Sequence, residues 1–168
     1  MALSAVEPLN AGHDVSEFSC GKPTLDHWLK TRALSSQRKG SAAVLVIHEA
    51  GRVVGYYGLA PTVAVATVLP RDTPSGRLPD PVACLLLGQL ATDRARAGQG
   101  LGTAMIRHAL LRCVQVAKLF GGQALMVNAI DEEAARFWQR RGFKPSMDDS
   151  LVLFSSIACI AASLTQVS

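Results

Sequence analysis

Apolar positions along the chain change their period several times, and each change marks an expected element. Leu25, Trp28, Leu29, Arg32 and Ala33 recur at helical spacing, so a helix capped by Thr24 is expected to run to about Gln37, where Lys39-Gly40 stops it. A short helical turn is expected before it, over residues 15–18. Residues 42–49 and 52–60 are two apolar runs joined by Glu49-Ala50-Gly51, the pattern of a β-hairpin. Residues 61–81 hold five of the eight prolines and read as a long irregular excursion, the kind that compact domains keep for function. Residues 82–91 are continuously apolar, which predicts a strand buried on both faces. A helix follows over residues 100–120, with Met105, Ile106, Ala109, Leu110, Cys113 and Ala117 on one side and Gly121-Gly122 at its end. Residues 123–129 form the next buried strand, and Asp131 caps a helix through Arg141. Gly142-Phe143 turns that helix into a strand ending near Pro145, and residues 151–155 make the last strand. A hairpin followed by strand–helix–strand–helix–strand implies an α/β layer fold, a mixed sheet with a parallel central pair.

Composition adds bounds to this picture. The chain has 168 residues, 49% hydrophobic and without repeats, so residues 1–168 read as a single domain with a substantial core. A net charge of +4 and a pI near 9.1 are compatible with a polyanionic partner. The basic residues cluster at 30–39, 94–96 and 136–144, which a solvated helix face would also produce. Cys20, Cys84, Cys113 and Cys159 lack metal-binding or disulfide spacing, and Cys84 and Cys113 sit in apolar runs as small core residues. His13, His27, His48 and His108 show no metal spacing either, and no metal is expected. His108 falls opposite the apolar stripe of its helix and is expected to be exposed. The opening MALSAVEPLN lacks a charged-then-apolar export signal, so a cytoplasmic protein is expected. The apolar end, residues 156–168, is too short to span a bilayer and reads as an exposed tail available for an interface; no membrane partner is expected.

The densest chemical signal is LLLGQLATDRARAGQGLGTAMIRHAL, from Leu85 to Leu110. A strand ends in a basic turn, the turn narrows to Ala97-Gly98-Gln99-Gly100-Leu101-Gly102, and a helix opens at once. Glycines let the backbone come close to a ligand with its N–H groups turned outward, and the helix N-terminus adds partial positive charge. Such a turn suits a phosphate or diphosphate, although an ordinary strand-to-helix connection can share the pattern.

With that turn after one strand and DEEAARFWQRRGF after the next, the chain resembles the GCN5-related N-acetyltransferases (GNAT). It is closest to their branch of acetyltransferase toxins from type II toxin–antitoxin modules. EPLNAGHDVSEFSCGKPTLDHWL, RVVGYYGLAP, LLLGQLATD and GFKPSMDDSLVLF carry that likeness from about Glu7 to Phe154. The resemblance implies the GNAT fold, a mixed and mostly antiparallel sheet with a parallel central pair flanked by helices. It implies acetyl-CoA as cofactor, held by Leu90, Ala91, Thr92, Ala97, Gly98, Gln99, Gly100, Leu101, Gly102 and Thr103, with Asp131 and Phe137 beside the pantetheine arm. For Asp131 a plain helix cap is the competing reading. The resemblance also implies acetylation of the α-amine of aminoacyl-tRNA, neutralisation by a ribbon-helix-helix antitoxin, and a homodimer that grips the acceptor stem.

Two departures bear on the chemistry. Ala97 stands where the family has Gln or Arg, which Arg94 or Arg96 is placed to offset. Trp138 stands where the family has the tyrosine taken as general acid. An α-amine has a pKa of about 7.7–8, so a useful neutral fraction attacks without a strong base. Backbone N–H groups at Leu90 to Thr92 are the candidates for stabilising the oxyanion. Indole N–H donates a hydrogen bond and no proton, whereas general acid catalysis is worth about 10²–10⁴-fold. The expected enzyme is therefore slower, or takes its acid from Tyr56, Tyr57 or water. Of the adjacent tyrosines, one is expected in the core and the other, taken as Tyr57, lining the acceptor site. Trp28 is expected to pack in the core. Arg32, Arg38, Lys39, Arg77, Arg94 and Arg96 are the candidate tRNA contacts. The alternatives are a small amine or protein amine as acceptor, or a weak catalyst that binds coenzyme A and an antitoxin.

Overall fold

The computed structural model describes residues 2–70 and 80–165, and Arg77 lies outside them. The described residues fall into two compact units, each assembled from two stretches of chain. One joins Met1–Ala60 to Gln89–Ala109, and the other joins Pro61–Gly88 to Leu110–Ser168. In chain order the elements are β1 (Glu7–Pro8), α1 (Pro23–Thr31), α2 (Ala33–Arg38), β2 (Ala43–Glu49), β3 (Arg52–Ala64), β4 (Val82–Thr92), α3 (Leu101–Phe120), β5 (Ala124–Asn128), α4 (Glu132–Gln139), β6 (Lys144–Pro145), β7 (Val152–Ser156) and α5 (Ile157–Thr165).

In the first unit β1, β2 and β3 lie side by side, all antiparallel, with Glu7 opposite Val46 and Leu45 opposite Tyr57. Ala50 (φ 52°) and Gly51 (φ 86°) close the predicted hairpin, two left-handed residues whose twist matches that of the strands they join. Phe18, Leu29, Ala33, Val44, Val46, Val53, Tyr56 and Ala91 form its core, with Trp28 packed against them as expected.

The expected single helix over residues 24–37 is two. Pro23 takes the first helical position, where its fixed φ is already helical and its missing N–H costs nothing, so the start moves ahead of Thr24 and Lys22 becomes the cap. The chain breaks at Arg32 (φ −119°), and α2 turns so that Ala33 is buried. Gln37 then bridges two backbones, donating to the Leu9 carbonyl and accepting from Val44 N–H at 2.8 Å. Those distant partners redirect the helix. The turn expected over residues 15–18 is present as a single turn, closed by Phe18 N–H donating to the Val15 carbonyl at 3.2 Å.

In the second unit the strand order is β4-β5-β7-β6. Cys84 to Leu87 pair in parallel with Ala124 to Val127, and β5–β7 and β7–β6 are antiparallel. This is the mixed α/β sheet with a parallel pair, and α4 and α5 pack on β7. Strand β4 is buried at Val82, Cys84, Leu85 and Leu87, then opens to half-exposure from Gly88 to Leu90, so burial on both faces holds only for its first half. The excursion is more regular at its start than expected: β3 continues to Ala64, and a single 3-10 turn covers Ala66–Val68. The apolar end is not an exposed tail. It forms α5, which buries Ile160 and is tied back by Ile157 N–H to the Gln123 carbonyl at 3.0 Å.

Candidate cofactor cradle and catalytic residues

The glycine turn is anchored before it begins. Asp93 N–H donates to the Val54 carbonyl (2.8 Å), while the Asp93 carboxylate accepts from Ala95 N–H (2.9 Å) and Ser19 N–H (3.3 Å). Arg94 N–H returns a bond to the Ser19 carbonyl at 2.9 Å. Past this anchor Gly98 (φ 79°) and Gly100 (φ 78°) adopt the left-handed conformation that any Cβ disfavours. Helix α3 starts at Leu101 with no acidic residue in its first turn. Its first backbone bond runs from Ala104 N–H to the Gly100 carbonyl at 3.1 Å. Among the described residues, the six consecutive N–H groups from Gly98 to Thr103 donate to no protein acceptor. An exposed row of donors at a helix N-terminus, with nothing anionic beside it, fits a diphosphate. Ala97 is exposed and adds no side-chain donor.

The two arginines meant to offset Ala97 differ. Arg94 is exposed and forms no ion pair among the described residues. Arg96 is paired with Glu49 at the end of β2, so its guanidinium is already engaged. Arg32, Arg38 and Lys39 are exposed around α2 in the same unit, where a polyanion can reach them.

Strand β4 brings Leu90, half-exposed, Ala91, buried, and Thr92, half-exposed, to the edge of the turn; Thr92 Oγ1 lies 3.9 Å from where a Cβ on Gly102 would sit. Tyr56 and Tyr57 face opposite ways, yet both rings are fully buried, so neither lines an open wall. Tyr56 stacks on Trp28 (5.9 Å, 9°) and donates its hydroxyl to the Leu25 carbonyl at 2.7 Å. Burial raises its pKa far beyond the usual phenol range, which removes it as an acid. The Tyr57 hydroxyl lies 2.8 Å from His108 Nδ1. His108 is therefore half-buried and bonded rather than simply exposed, and sequence reasoning missed the pair. The available signal was its spacing from Leu101 and Met105, which sets it at the edge of the sheet-facing stripe. Nothing in the sequence singled out Glu49.

In the second unit Asp131 caps α4, accepting from Ala134 N–H at 2.8 Å, as a plain N-cap does. Phe137 is half-buried under the Arg141 guanidinium, 3.7 Å from its ring centroid. Trp138 is only 7% exposed, meeting Phe137 and Phe143 edge-on, each at 5.1 Å. Among the described residues its indole N–H donates to no protein acceptor, a costly state for a buried donor unless a ligand accepts it.

Cysteine chemistry is poorly served. Burial, then the Asp26 carboxylate, pushes the Cys20 thiol up to about 11, and burial takes Cys84 to about 11 and Cys113 to about 12. These thiols stay protonated at neutral pH. Glu7, His13 and His48 converge, with both Nε2 atoms 2.8 Å from Glu7 Oε1. Both Nδ1 atoms accept backbone N–H bonds, from Asn10 and Gly51, each at 3.0 Å. The Nε2 atoms therefore carry protons and donate to Glu7, which makes the group a hydrogen-bonded clamp rather than a ligand set. Among the described residues no helix is long and apolar enough to cross a membrane.

Residues 40–145 match the Acetyltransferase (GNAT) domain family. The chain is 40% identical over 154 residues to a tRNA-acetylating toxin of Mycobacterium tuberculosis (strain ATCC 25618 / H37Rv), covering 89% of this chain and 90% of that protein. Among solved structures it is similar to AtaT complexed with acetyl-methionyl-tRNAfMet, with a TM-score of 0.86 and 26% identity over 96% of this chain and 99% of the other. It is similar too to a tyrosine-to-phenylalanine mutant of the AtaT toxin bound to acetyl-CoA and the C-terminus of the antitoxin AtaR. There the TM-score is 0.81 and the identity 27%, over 99% and 100% of the two chains.

Proposed function

This chain belongs to the GNAT acetyltransferase family, and from that premise we propose that it is the toxin of a toxin–antitoxin pair, transferring acetyl from acetyl-CoA to the α-amine of aminoacyl-tRNA. The observation that carries the reading is the open row of N–H donors from Gly98 to Thr103, a diphosphate cradle in a chain so similar to a tRNA-acetylating toxin. Acetyl-CoA, when bound, supplies an acyl group activated as a thioester. The chain's own residues do the rest. Gly98, Gln99, Gly100, Leu101, Gly102 and Thr103 hold the diphosphate by backbone N–H, and Arg94, which forms no ion pair among the described residues, offers a nearby cation. Leu90, Ala91 and Thr92 present backbone groups to the pantetheine arm and the acyl oxygen. In the second unit Asp131 starts α4, the helix that carries Phe137. Trp138 contributes packing and one hydrogen-bond donor, without a proton to give.

The unoccupied acid role has a chemical remedy. The attacking nitrogen must shed a proton as the C–S bond breaks, and the departing thiolate, whose conjugate thiol has a pKa of about 8.5 if it resembles cysteine, is an adequate acceptor. The reaction then proceeds without a tyrosine at position 138, though more slowly. Tyr57 is fully buried, so it takes part in moving that proton only through half-buried His108, whose Nδ1 its hydroxyl meets at 2.8 Å. Arg32, Arg38 and Lys39, exposed in the first unit, are the tRNA contacts this reading favours; Arg77 belongs with them by charge.

The rest of the reading follows from the substrate. Charged tRNA is a cytoplasmic molecule, so the protein acts there. A homodimer suits an acceptor stem larger than one chain, and a cognate antitoxin neutralises the toxin, as AtaR binds AtaT. Because the family match runs from residue 40 to 145, through segments of both units, the chain is read as one acetyltransferase domain. Trp138 favours one second reading, a coenzyme A-binding protein with little transfer. Incubating labelled acetyl-CoA with total charged tRNA separates the two. Label on aminoacyl-tRNA from the wild type supports the toxin reaction; label only with Trp138→Tyr supports the second reading. Label with neither variant, despite coenzyme A binding, refutes tRNA as the acceptor.

A further inference from the structure

We propose that Glu49 and Arg96 are a positioning pair that sets the glycine turn, with Arg96 acting through Glu49 and not by contact with an anionic ligand. The inference rests on the reading of residues 98–103 as the diphosphate cradle. Arg96 stands two residues before Gly98 and closes the 3-10 turn Arg94–Arg96. Its side chain is 23% exposed and that of Glu49 is 16% exposed, so the two charges meet largely out of water, where the loss of either leaves the other uncompensated. Glu49 is itself held, as the last residue of β2 and the first of the tight Ala50-Gly51 turn.

The position of this pair along the chain gives it leverage. Asp93 and Arg94 are fastened to Val54 and Ser19, but residues 97–100 are all exposed, and burial resumes only at Leu101. The Glu49–Arg96 contact is thus the last side-chain tie before a segment containing two left-handed glycines. Glycine populates left- and right-handed backbone about equally, so an untied turn spends much of its time with its N–H groups misaligned. Apparent affinity falls by the fraction of chains holding the competent form. Arg94, exposed and without an ion pair among the described residues, remains open to a ligand phosphate.

A charge-swap cycle on the full chain tests this, read by calorimetric titration with coenzyme A and by amide NMR without ligand. Glu49→Gln and Arg96→Gln are each expected to weaken coenzyme A binding about three- to tenfold. The double substitution should be no worse than either single one, and the swap Glu49→Arg with Arg96→Glu should recover most of the loss. Without ligand, Glu49→Gln should shift the Gly98 and Gly100 amide resonances. If Glu49→Gln binds like the wild type while Arg96→Gln stays weak and the swap fails to rescue, Arg96 is a ligand contact and the proposal falls. Unmoved glycine resonances in Glu49→Gln overturn it as well, independently of any ligand. A wild type that does not bind coenzyme A removes the cradle reading itself, whatever the resonances show.

Discussion

Gly100→Ala isolates the cradle from the fold. Gly100 has φ 78°, and a Cβ there meets nothing within 4 Å, so the substitution brings strain without a clash. Left-handed backbone costs an L-residue roughly 1–2 kcal/mol. In a chain of this size each kcal/mol lowers the melting temperature by about 2–4 °C, so a drop of roughly 2–8 °C is expected. Gly40 is a matched control: it has φ 76°, also meets nothing within 4 Å, and follows the end of α2, outside residues 98–103. Gly40→Ala should destabilise by the same amount. The two variants should part company in coenzyme A binding, measured by calorimetry well below either melting point. If a diphosphate rests on the N–H groups at residues 98–103, the methyl at position 100 stands in its path, and affinity should fall at least about tenfold, or 1.4 kcal/mol. Gly40→Ala should bind as the wild type does. Equal affinities in the two alanine variants would refute the cradle; a Gly100→Ala melting point far below that of Gly40→Ala would refute the strain argument.

Other outcomes follow from the same geometry. The two histidine N–H groups bonded to Glu7, aided by their charge interaction, hold its carboxyl below the usual 4.5. A carboxyl depressed on folding stabilises the fold above its unfolded pKa, and that stability is lost as pH falls through the folded value. Glu7→Gln should therefore lose stability at pH 7, lose progressively less as pH falls below about 4.5, and so flatten the acid limb of a urea-denaturation series; an unchanged limb would exclude the clamp. Tyr56→Phe removes the bond to the Leu25 carbonyl, a half-buried acceptor within α1, for a loss of about 0.5–1.5 kcal/mol in chemical denaturation without a specific effect on coenzyme A affinity. Combined Arg38→Gln and Lys39→Gln should weaken charged-tRNA binding and reduce the slope of log affinity against log salt by about 1–2, leaving coenzyme A binding intact. An unchanged slope would take these residues off the tRNA path.

Period and punctuation made most of the elements legible. The hairpin, β4, α3, β5 and α4 depend on local alternation, helical stripes, Gly121-Gly122 and the Asp131 cap, all of which act within a few residues. The glycine turn was legible for the same reason, since left-handed backbone next to a helix start is written in Gly98 and Gly100 themselves. Where neighbours far along the chain decide, the sequence falls silent. The break at Arg32 follows from Gln37 reaching Leu9 and Val44, and IACIAASL became a helix because Ile160 had a sheet to bury against. The site divides in the same way. Residue types told that Trp138 has no proton to give and that the cradle is backbone. That Tyr57 meets His108, 51 residues away, and that Glu49 engages Arg96, was decided only by tertiary structure, because a hydrogen bond or ion pair depends on distance in space, and spacing along the chain does not encode it.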